Sequence, residues 1–414
     1  MNGADAAVIV VGAGPAGLSL ALALGRAGIE TVVLEMEPAL TYDLRAGSYH
    51  PPTIEMLHEL GIGETMMAAG IVVPQWQVRD RIEGVIAEFD LGLLADETPF
   101  PFRLHLEQHR LTPMLLEAIE RDTTSVRVLF SHRVERVEIN PGEVVVHAAG
   151  PDGPLALNAS FVVGCDGARS VVRKALGVDF EGFTWPERFL VASTTYDFGP
   201  HGFAGAGYVS DPEHWCAVFN VPDDGPPGLW RVAYPTDPET PEAVDIAADE
   251  VHRRLAIIFE NTDMDAASWE LKYRSTYRVH QRVASRFFAG RGVIAGDAAH
   301  LNNPMGGLGL NGSVHDAVNL AAKLVAVLDG RSGNGAGDWE AALDLYDRQR
   351  RPINIKAVQA MSIRNKKMIE EKDPAVRRRN NAELRATVAD RDRAKAFLMN
   401  TSMLNSVREA AAIV

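Results

Sequence analysis

Only two of the 414 residues are cysteines, Cys165 and Cys216. That scarcity excludes a disulfide framework and a cysteine-built zinc site, so no metal is expected, and a reducing compartment, the cytoplasm, is favoured. Positive charge is scarce as well: 41 Lys and Arg stand against 55 Asp and Glu, a formal net charge of −14. Such a surface repels polyanions, so no nucleic-acid partner is expected. The one basic cluster, Arg377-Arg378-Arg379, lies in a charged C-terminal stretch and reads as a solvated helix face. No apolar run approaches the roughly 18 residues of a membrane span, and no membrane partner is expected. The apolar start, Met1 to Val11, has no basic flank and runs straight into a glycine loop, so it reads as buried strand and not as a secretion signal. What remains is a globular balance of 46% hydrophobic and 23% charged residues, enough chain for two or three domains.

Residues 7–11 (AVIVV) form the β-branched run of a strand buried on both faces. The loop GAGPAG follows, ahead of an Ala/Leu-rich helical pattern at 15–28 and a second strand at 30–34. Gly12 permits the tight turn. Gly14, with Pro15 and Ala16 opening the helix, lets backbone approach a pyrophosphate, and Gly17 lets helix and strand pack closely. The helix start offers N–H groups and a positive dipole end to phosphate. Glu35 ends the second strand, where a carboxylate can accept hydrogen bonds from ribose hydroxyls and disfavours a 2′-phosphate. This unit alone defines a dinucleotide site for NAD or FAD.

Further along, 52–60 and 110–120 read as helices. Residues 126–129 and 143–148 read as strands, with the Asn140-Pro141-Gly142 turn between them suggesting an antiparallel meander. From about 181 the texture changes. Short strand-like pieces at 189–195, 207–209, 215–221 and 229–234, broken by Gly, Pro and Asp, predict an antiparallel sheet and a second domain. A buried strand at 293–297 and an apolar helix at 313–328 follow. A flexible connection at 332–338 leads to a mostly helical stretch at 339–399, broken at Pro352 and Pro374. Met361, Met368, Met399 and Met403, at loose helical spacing, read as core or as homodimer contacts.

Residues 164–170 read GCDGARS. Residues 291–300 read RGVIAGDAAH and continue through Leu301-Asn302-Asn303-Pro304 into MGGLGLNGS. In this order and at these separations, the three motifs over about residues 7–350 resemble the group A (single-component) FAD-dependent aromatic hydroxylases, the p-hydroxybenzoate hydroxylase-like family. The resemblance implies an α/β fold: a Rossmann-like FAD-binding domain with an inserted antiparallel β-sheet substrate domain and a helical C-terminal region. Residues 1–180 would form the first part of the FAD domain, with 73–100 contributing to the substrate sheet. Residues 181–280 would be the substrate domain, 281–350 would complete the FAD domain, and 351–414 would be the helical region.

Position by position, the resemblance implies that Gly296 and Asp297 contact the FAD ribityl and pyrophosphate region and that Pro304 lies beside the isoalloxazine ring. It implies that backbone from Gly306 to Asn311, including Gly307, Gly309 and Leu310, runs along the flavin. There, helix-start donors would stabilise the charge of the reduced ring. Asp166 and Arg169 match the motif serving FAD and the passing pyridine nucleotide, and Arg45 and Gln108 match further FAD contacts. One departure is local: Asn311 is followed directly by Gly312 and Ser313 where many members read Asn-x-Gly. His300 is expected to pack rather than catalyse, and Cys165 to be buried without a redox role.

The implied activity is a monooxygenase in which NAD(P)H reduces non-covalent FAD. A flavin C4a-hydroperoxide formed with O2 would then hydroxylate a phenolic or heteroaromatic small molecule. No second glycine fingerprint is present, which fits a nicotinamide that docks transiently. Candidates on the sheet for substrate contact are Tyr196, Tyr208, His214, Trp215, Arg231 and Tyr234. Among them Tyr208 and Arg231, with Pro304, are the catalytic candidates. Arg231 and Ala233 share one face of their strand while Trp230, Val232 and Tyr234 share the other, and the flavin-facing side is not legible. The same fold could instead serve epoxidation, decarboxylative hydroxylation or heteroaromatic ring cleavage, and a non-catalytic flavin-binding protein is the reading from another class.

Overall fold

The structure, a computed structural model, describes residues 5–42, 47–225, 228–329 and 338–414. Arg45 and most of the connection expected at 332–338 therefore lie outside the described residues.

The first strand, Ala6–Val11, pairs in parallel with Thr31–Leu34 on one side and with Gly153–Gly164 on the other. Val126–Leu129 and Gly292–Ile294 extend the parallel sheet outward. The register places Val11 beside Gly164 and Gly164 beside Ile294. The loops carrying the three motifs therefore leave the sheet at the same edge, beyond the carboxyl ends of the strands, where open α/β sheets bind ligands. Helix Pro15–Arg26 packs its Ala and Leu residues against this sheet, and helix Leu308–Leu328 packs beside it.

A second sheet runs in the order His300–Leu301, Leu271–Ala284, Phe180–Thr194, Leu229–Thr236, Cys216–Val221, Ala206–Ser210, Gln75–Asp80, Gly84–Asp90. Its pairings are antiparallel except that of Ala206–Ser210 with Gln75–Asp80. The hairpin from residues 75–90 thus joins a sheet built mainly from the middle of the chain. A small third sheet pairs Arg103–His105 with Ser48–Tyr49 and with Ile71–Val73.

The meander is placed differently from expectation. Its strands are Arg133–Ile139 and Val144–Gly150, while Val126–Leu129 joins the parallel sheet. The charged sequence RVERVEI hid an edge strand, where polar residues are tolerated and blunt the edge. Leu271–Ala284 also eluded a pattern reading. Its first half is exposed and rich in Arg, Lys and Tyr, so it lacks a clear apolar alternation.

The second apolar helix begins at Leu308, five residues before the expected start, because the glycines that mask its propensity sit in its first turns. Pro352 does not end a helix. It lies inside Trp339–Ile353, and a π-helical stretch at Asn354–Gln359 follows directly.

The C-terminal helices pack on the 75–90 hairpin through Leu384, Leu398, Met399 and Leu404. Arg377 pairs with Asp80 at 2.6 Å and Arg385 with Glu83 at 2.6 Å. The basic cluster is therefore not simply a solvated face: Arg377 is a docking contact. Met361 and Met403 form a small cluster with Leu308 and Val358, and Met399 and Met368 belong to the hairpin core, so these methionines pack within the chain. Among the described residues no helix is long and apolar enough to cross a membrane.

Candidate active site

The glycine loop is held by close backbone approach. Gly12 has φ +102°, and a Cβ there would lie 2.5 Å from the Cys165 carbonyl oxygen. A Cβ on Gly17 would lie 2.0 Å from the Gly12 carbonyl oxygen. A Cβ on Gly14, by contrast, would meet nothing within 4 Å, so open space lies in front of that backbone. The Glu35 carboxylate accepts hydrogen bonds from Ala13 N–H at 2.8 Å and Glu37 N–H at 2.9 Å, which clamps the loop to the second strand.

The Asp166 carboxylate accepts from Ser170 Oγ at 2.5 Å and from the amides of Val171 and Val172, capping helix Val171–Ala175. Cys165 and Gly167 on either side of it line the cavity described below, whereas Arg169 is exposed and outside that lining. Burial raises the Cys165 thiol well above its ordinary range, which keeps it protonated.

The third motif turns on a buried charge. Asp316, from helix Leu308–Leu328, accepts hydrogen bonds from Gly296 N–H at 3.1 Å, His300 Nε2 at 2.8 Å and Arg350 Nε at 2.7 Å. Burial opposes its ionisation, but Arg350 and His300 outweigh that and hold its carboxyl at about 2. Gly296 is thereby pinned inward and Asp297, the next residue, is exposed into the cavity. His300 is a structural partner in this arrangement. Asn311 is likewise fully buried: its Oδ1 accepts from His50 N–H at 2.8 Å and its Nδ2 donates to the Ser48 carbonyl at 2.8 Å. It ties the helix start to the small third sheet and does not itself line the cavity.

A cavity of about 790 Å³, the size range of small-molecule sites, joins these elements. At one end lie Gly14, Pro15, Ala16, Asp297 and Gln108, the last opening helix Gln108–Asp122. Pro304, Gly307, Gly309 and Leu310 run along its middle. Val191, Ser193, Tyr208, Ala217, Phe219 and Ala233 of the second sheet form the other end. The cavity-facing side of that sheet is thus the Ala233 side. Trp230, Val232 and Tyr234 instead pack in a separate core with Val251, Leu255 and Ile258 of helix Ala248–Ile258.

Among the six sheet candidates, Tyr208 alone is in the lining. Arg231 shares the face of Ala233 but is fully buried, with its guanidinium paired to Glu107, the residue before Gln108. Tyr196 stacks on Trp269 at 4.9 Å, and Trp215 packs edge-on to Phe189.

Among the lining residues that motif reading passed over are Trp76, Arg103 and His105. Arg103 and His105 flank the buried Leu104 on the short strand of the third sheet, so both point to the other side from it. The one sequence signal was polar–apolar–polar alternation just ahead of Gln108. Burial lowers the His105 imidazole to about 4, and it also lowers His50 and His315.

These geometric facts define a class: a protein with dinucleotide-binding loops at one end of a cavity and an antiparallel sheet at the other, as in flavin-dependent hydroxylases. Comparison identifies the family. Residues 5–361 match the FAD binding domain family, and the chain belongs to it, among flavin-dependent aromatic monooxygenases. Para-nitrophenol 4-monooxygenase of Pseudomonas sp. (strain WBC-3) is 37% identical over 404 residues, covering 97% of this chain and 96% of that protein. A 6-hydroxy-3-succinoylpyridine 3-monooxygenase of Pseudomonas putida is 34% identical over 371 residues, 89% of this chain and 90% of that protein. The crystal structure of a p-nitrophenol 4-monooxygenase from Pseudomonas putida superposes with a TM-score of 0.87 at 36% identity, covering 97% of this chain and 98% of that one.

The buried neutral imidazoles make a pH prediction. An unfolded histidine titrates near 6.5, whereas folded His105 does so at about 4. Between these values the unfolded chain binds protons that the folded chain does not. Stability is therefore full above roughly pH 6.5 and falls as the pH is lowered toward 4. Denaturant midpoints measured across this window should decline, and His105→Asn should flatten the decline. A midpoint constant from pH 6.5 to 4.5 would contradict the assignment.

Proposed function

We propose that the chain, with FAD bound, uses NAD(P)H and O2 to hydroxylate a phenolic or hydroxylated heteroaromatic ring. The observation that carries this reading is the single cavity running from the glycine loop, past the Pro304–Leu310 stretch, to the antiparallel sheet. A dinucleotide at one end would thereby share a largely apolar cleft with a small molecule at the other. The names of the two similar Pseudomonas enzymes both contain a hydroxylated six-membered aromatic ring.

Gly14, Pro15 and Ala16 would hold the pyrophosphate at the helix N-terminus. Asp297 would accept hydrogen bonds from ribityl hydroxyls, and Gln108 would contact the cofactor at the same end of the cavity. Glu35, Asp166, Gly296 and Asn311 would serve FAD by shaping the loops that touch it, and Arg169 would meet the nicotinamide nucleotide as it docks. Gly307, Gly309 and Leu310 would lie along the ring system beside Pro304. Bound flavin supplies hydride acceptance and oxygen activation, while the protein orients the substrate and excludes water. Tyr208, buried in the lining, would face the substrate. Arg231 would act indirectly, by holding Glu107 and so the start of the helix that presents Gln108. The shortage of cysteine supports a cytoplasmic location.

Asp297→Ala should purify with FAD occupancy reduced at least several-fold while its far-UV spectrum is unchanged. Wild-type occupancy would remove Asp297 from the cofactor site. For the reaction, a panel of phenols, benzoates and hydroxypyridines should contain compounds that stimulate NAD(P)H oxidation with stoichiometric oxygen uptake. If none stimulates either and the flavin stays oxidised, the hydroxylase reading fails.

A further inference from the structure

The second sheet carries a trough on its cavity face. Strand register sets Ser275, Val191, Ala233, Ala217 and Tyr208 side by side across neighbouring strands, and all of them line the cavity. At about 4.8 Å per strand, the row runs about 19 Å. The rows on either side carry aromatic side chains, Tyr273 and Phe219 on one and Tyr277 and Phe189 on the other. The short side chains therefore leave a slot between taller walls, long enough for an aromatic ring with its substituents laid along it.

An unpaired charge stands at the Tyr208 end of this trough. Tyr208 packs edge-on to Trp76 at 6.0 Å between ring centroids, and the Arg103 guanidinium sits over the same indole at 5.1 Å. Arg103 is 8% exposed, and among the described residues it has neither a hydrogen-bond acceptor nor an ion-pair partner. Its Nε is sealed, whereas its two terminal nitrogens are not, so the fork of the guanidinium is open to the cavity that Arg103 lines. Arg231, one row away on the sheet, is by contrast neutralised by Glu107. Among the described residues lining the cavity, Arg103 is the only arginine or lysine, and Asp297, at the dinucleotide end, is the only carboxylate.

Burial lowers the Arg103 guanidinium, but an arginine keeps its proton in a folded protein. None of the titratable groups around it supplies a countercharge. Burial raises the Tyr208 phenol further than Arg103 lowers it, and burial lowers both His105 and His50. A desolvated cation left without an anion is costly, and ligand oxygens placed on its open fork would relieve that cost.

We propose that the substrate ring lies in this trough and that its planar two-oxygen substituent, a carboxylate or a nitro group, is held by the terminal nitrogens of Arg103. Such a group matches the guanidinium fork, which can donate two parallel hydrogen bonds to it. This rests on the aromatic-hydroxylase reading above and names the substrate class within it: hydroxylated rings that carry one of these two groups. No bond forms or breaks at Arg103. Its contact orients the ring along the trough and rejects rings that offer the fork no oxygen.

The test is ligand binding to the FAD-loaded protein without NAD(P)H, using 4-hydroxybenzoate, 4-nitrophenol and 4-methylphenol. The pH is set so that the carboxylate is ionised and every ring hydroxyl is protonated. The wild type should bind 4-hydroxybenzoate or 4-nitrophenol at least about tenfold more tightly than 4-methylphenol, because the methyl group leaves the fork unpaired. The carboxylate winning alone assigns the preference to charge, and the two binding alike assigns it to the fork geometry. Equal affinities for all three would overturn the proposal without any variant.

Arg103→Met should abolish that preference while leaving 4-methylphenol affinity within about twofold, since only the oxygen contacts are lost. Arg103→Lys, which keeps the charge without the fork, should restore part of the preference for the carboxylate and none for the nitro group. Ala233→Val, which raises the floor of the trough, should weaken all three ligands with FAD content unchanged. Variants that match the wild type overturn the subsite and leave the hydroxylase reading intact. A wild type that binds none of the three and oxidises NAD(P)H with no aromatic compound overturns both.

Discussion

The site depends on one buried carboxylate. Asp316 is completely enclosed, and its two oxygens draw together the Gly296 amide and His300 of one loop and Arg350 of a helix further along the chain. An isolated charge at that depth would be expelled or neutralised, and only this full set of partners keeps it ionised. The consequence for function is geometric. With Gly296 drawn inward, the short turn Gly296–Ala298 leaves Asp297 exposed to the cavity, and the helix carrying Asp316 begins at Leu308, within the Pro304–Leu310 stretch. One electrostatic knot thus fixes both the acid expected at the ribityl chain and the backbone expected along the ring.

Around that knot the chain solves a packing problem with two sheets. The parallel sheet is buried on both faces and delivers three loops to one edge. The antiparallel sheet has two different faces. Trp230, Val232 and Tyr234 seal one against the helix Ala248–Ile258. The small residues Ser193, Ala217 and Ala233 keep the other hollow, so that side becomes the cavity wall. The C-terminal helices close the far side of the 75–90 hairpin through apolar contacts and ion pairs such as Arg377 with Asp80.

How much of this was legible follows from the range of each interaction. Gly12, Gly14, Gly17 and Glu35 could be read because a strand, a turn and a helix within thirty residues determine them, and the same holds for the loop at Asp297. The roles of His300 and Asn311 could not be read in full, since each is set by a partner far along the chain or across it. Arg103 and His105 were missed for a sharper reason. Their strand is only three residues long, too short for a period, and its place in the cavity wall is set by pairing with Ser48–Tyr49 and Ile71–Val73. Arg231 misled because an arginine on the right face of a sheet strand looks like a substrate contact until Glu107, more than a hundred residues earlier, is found beside it.

The central claim is that this cavity carries oxygen from O2 to an aromatic ring. The most direct measurement is product mass after turnover under 18O2 in ordinary water, with whichever phenol stimulates NAD(P)H consumption best. The account predicts a product heavier by one 18O atom, with that atom on a ring carbon. Product carrying only oxygen from water, or hydrogen peroxide formed with the phenol recovered unchanged, would contradict it.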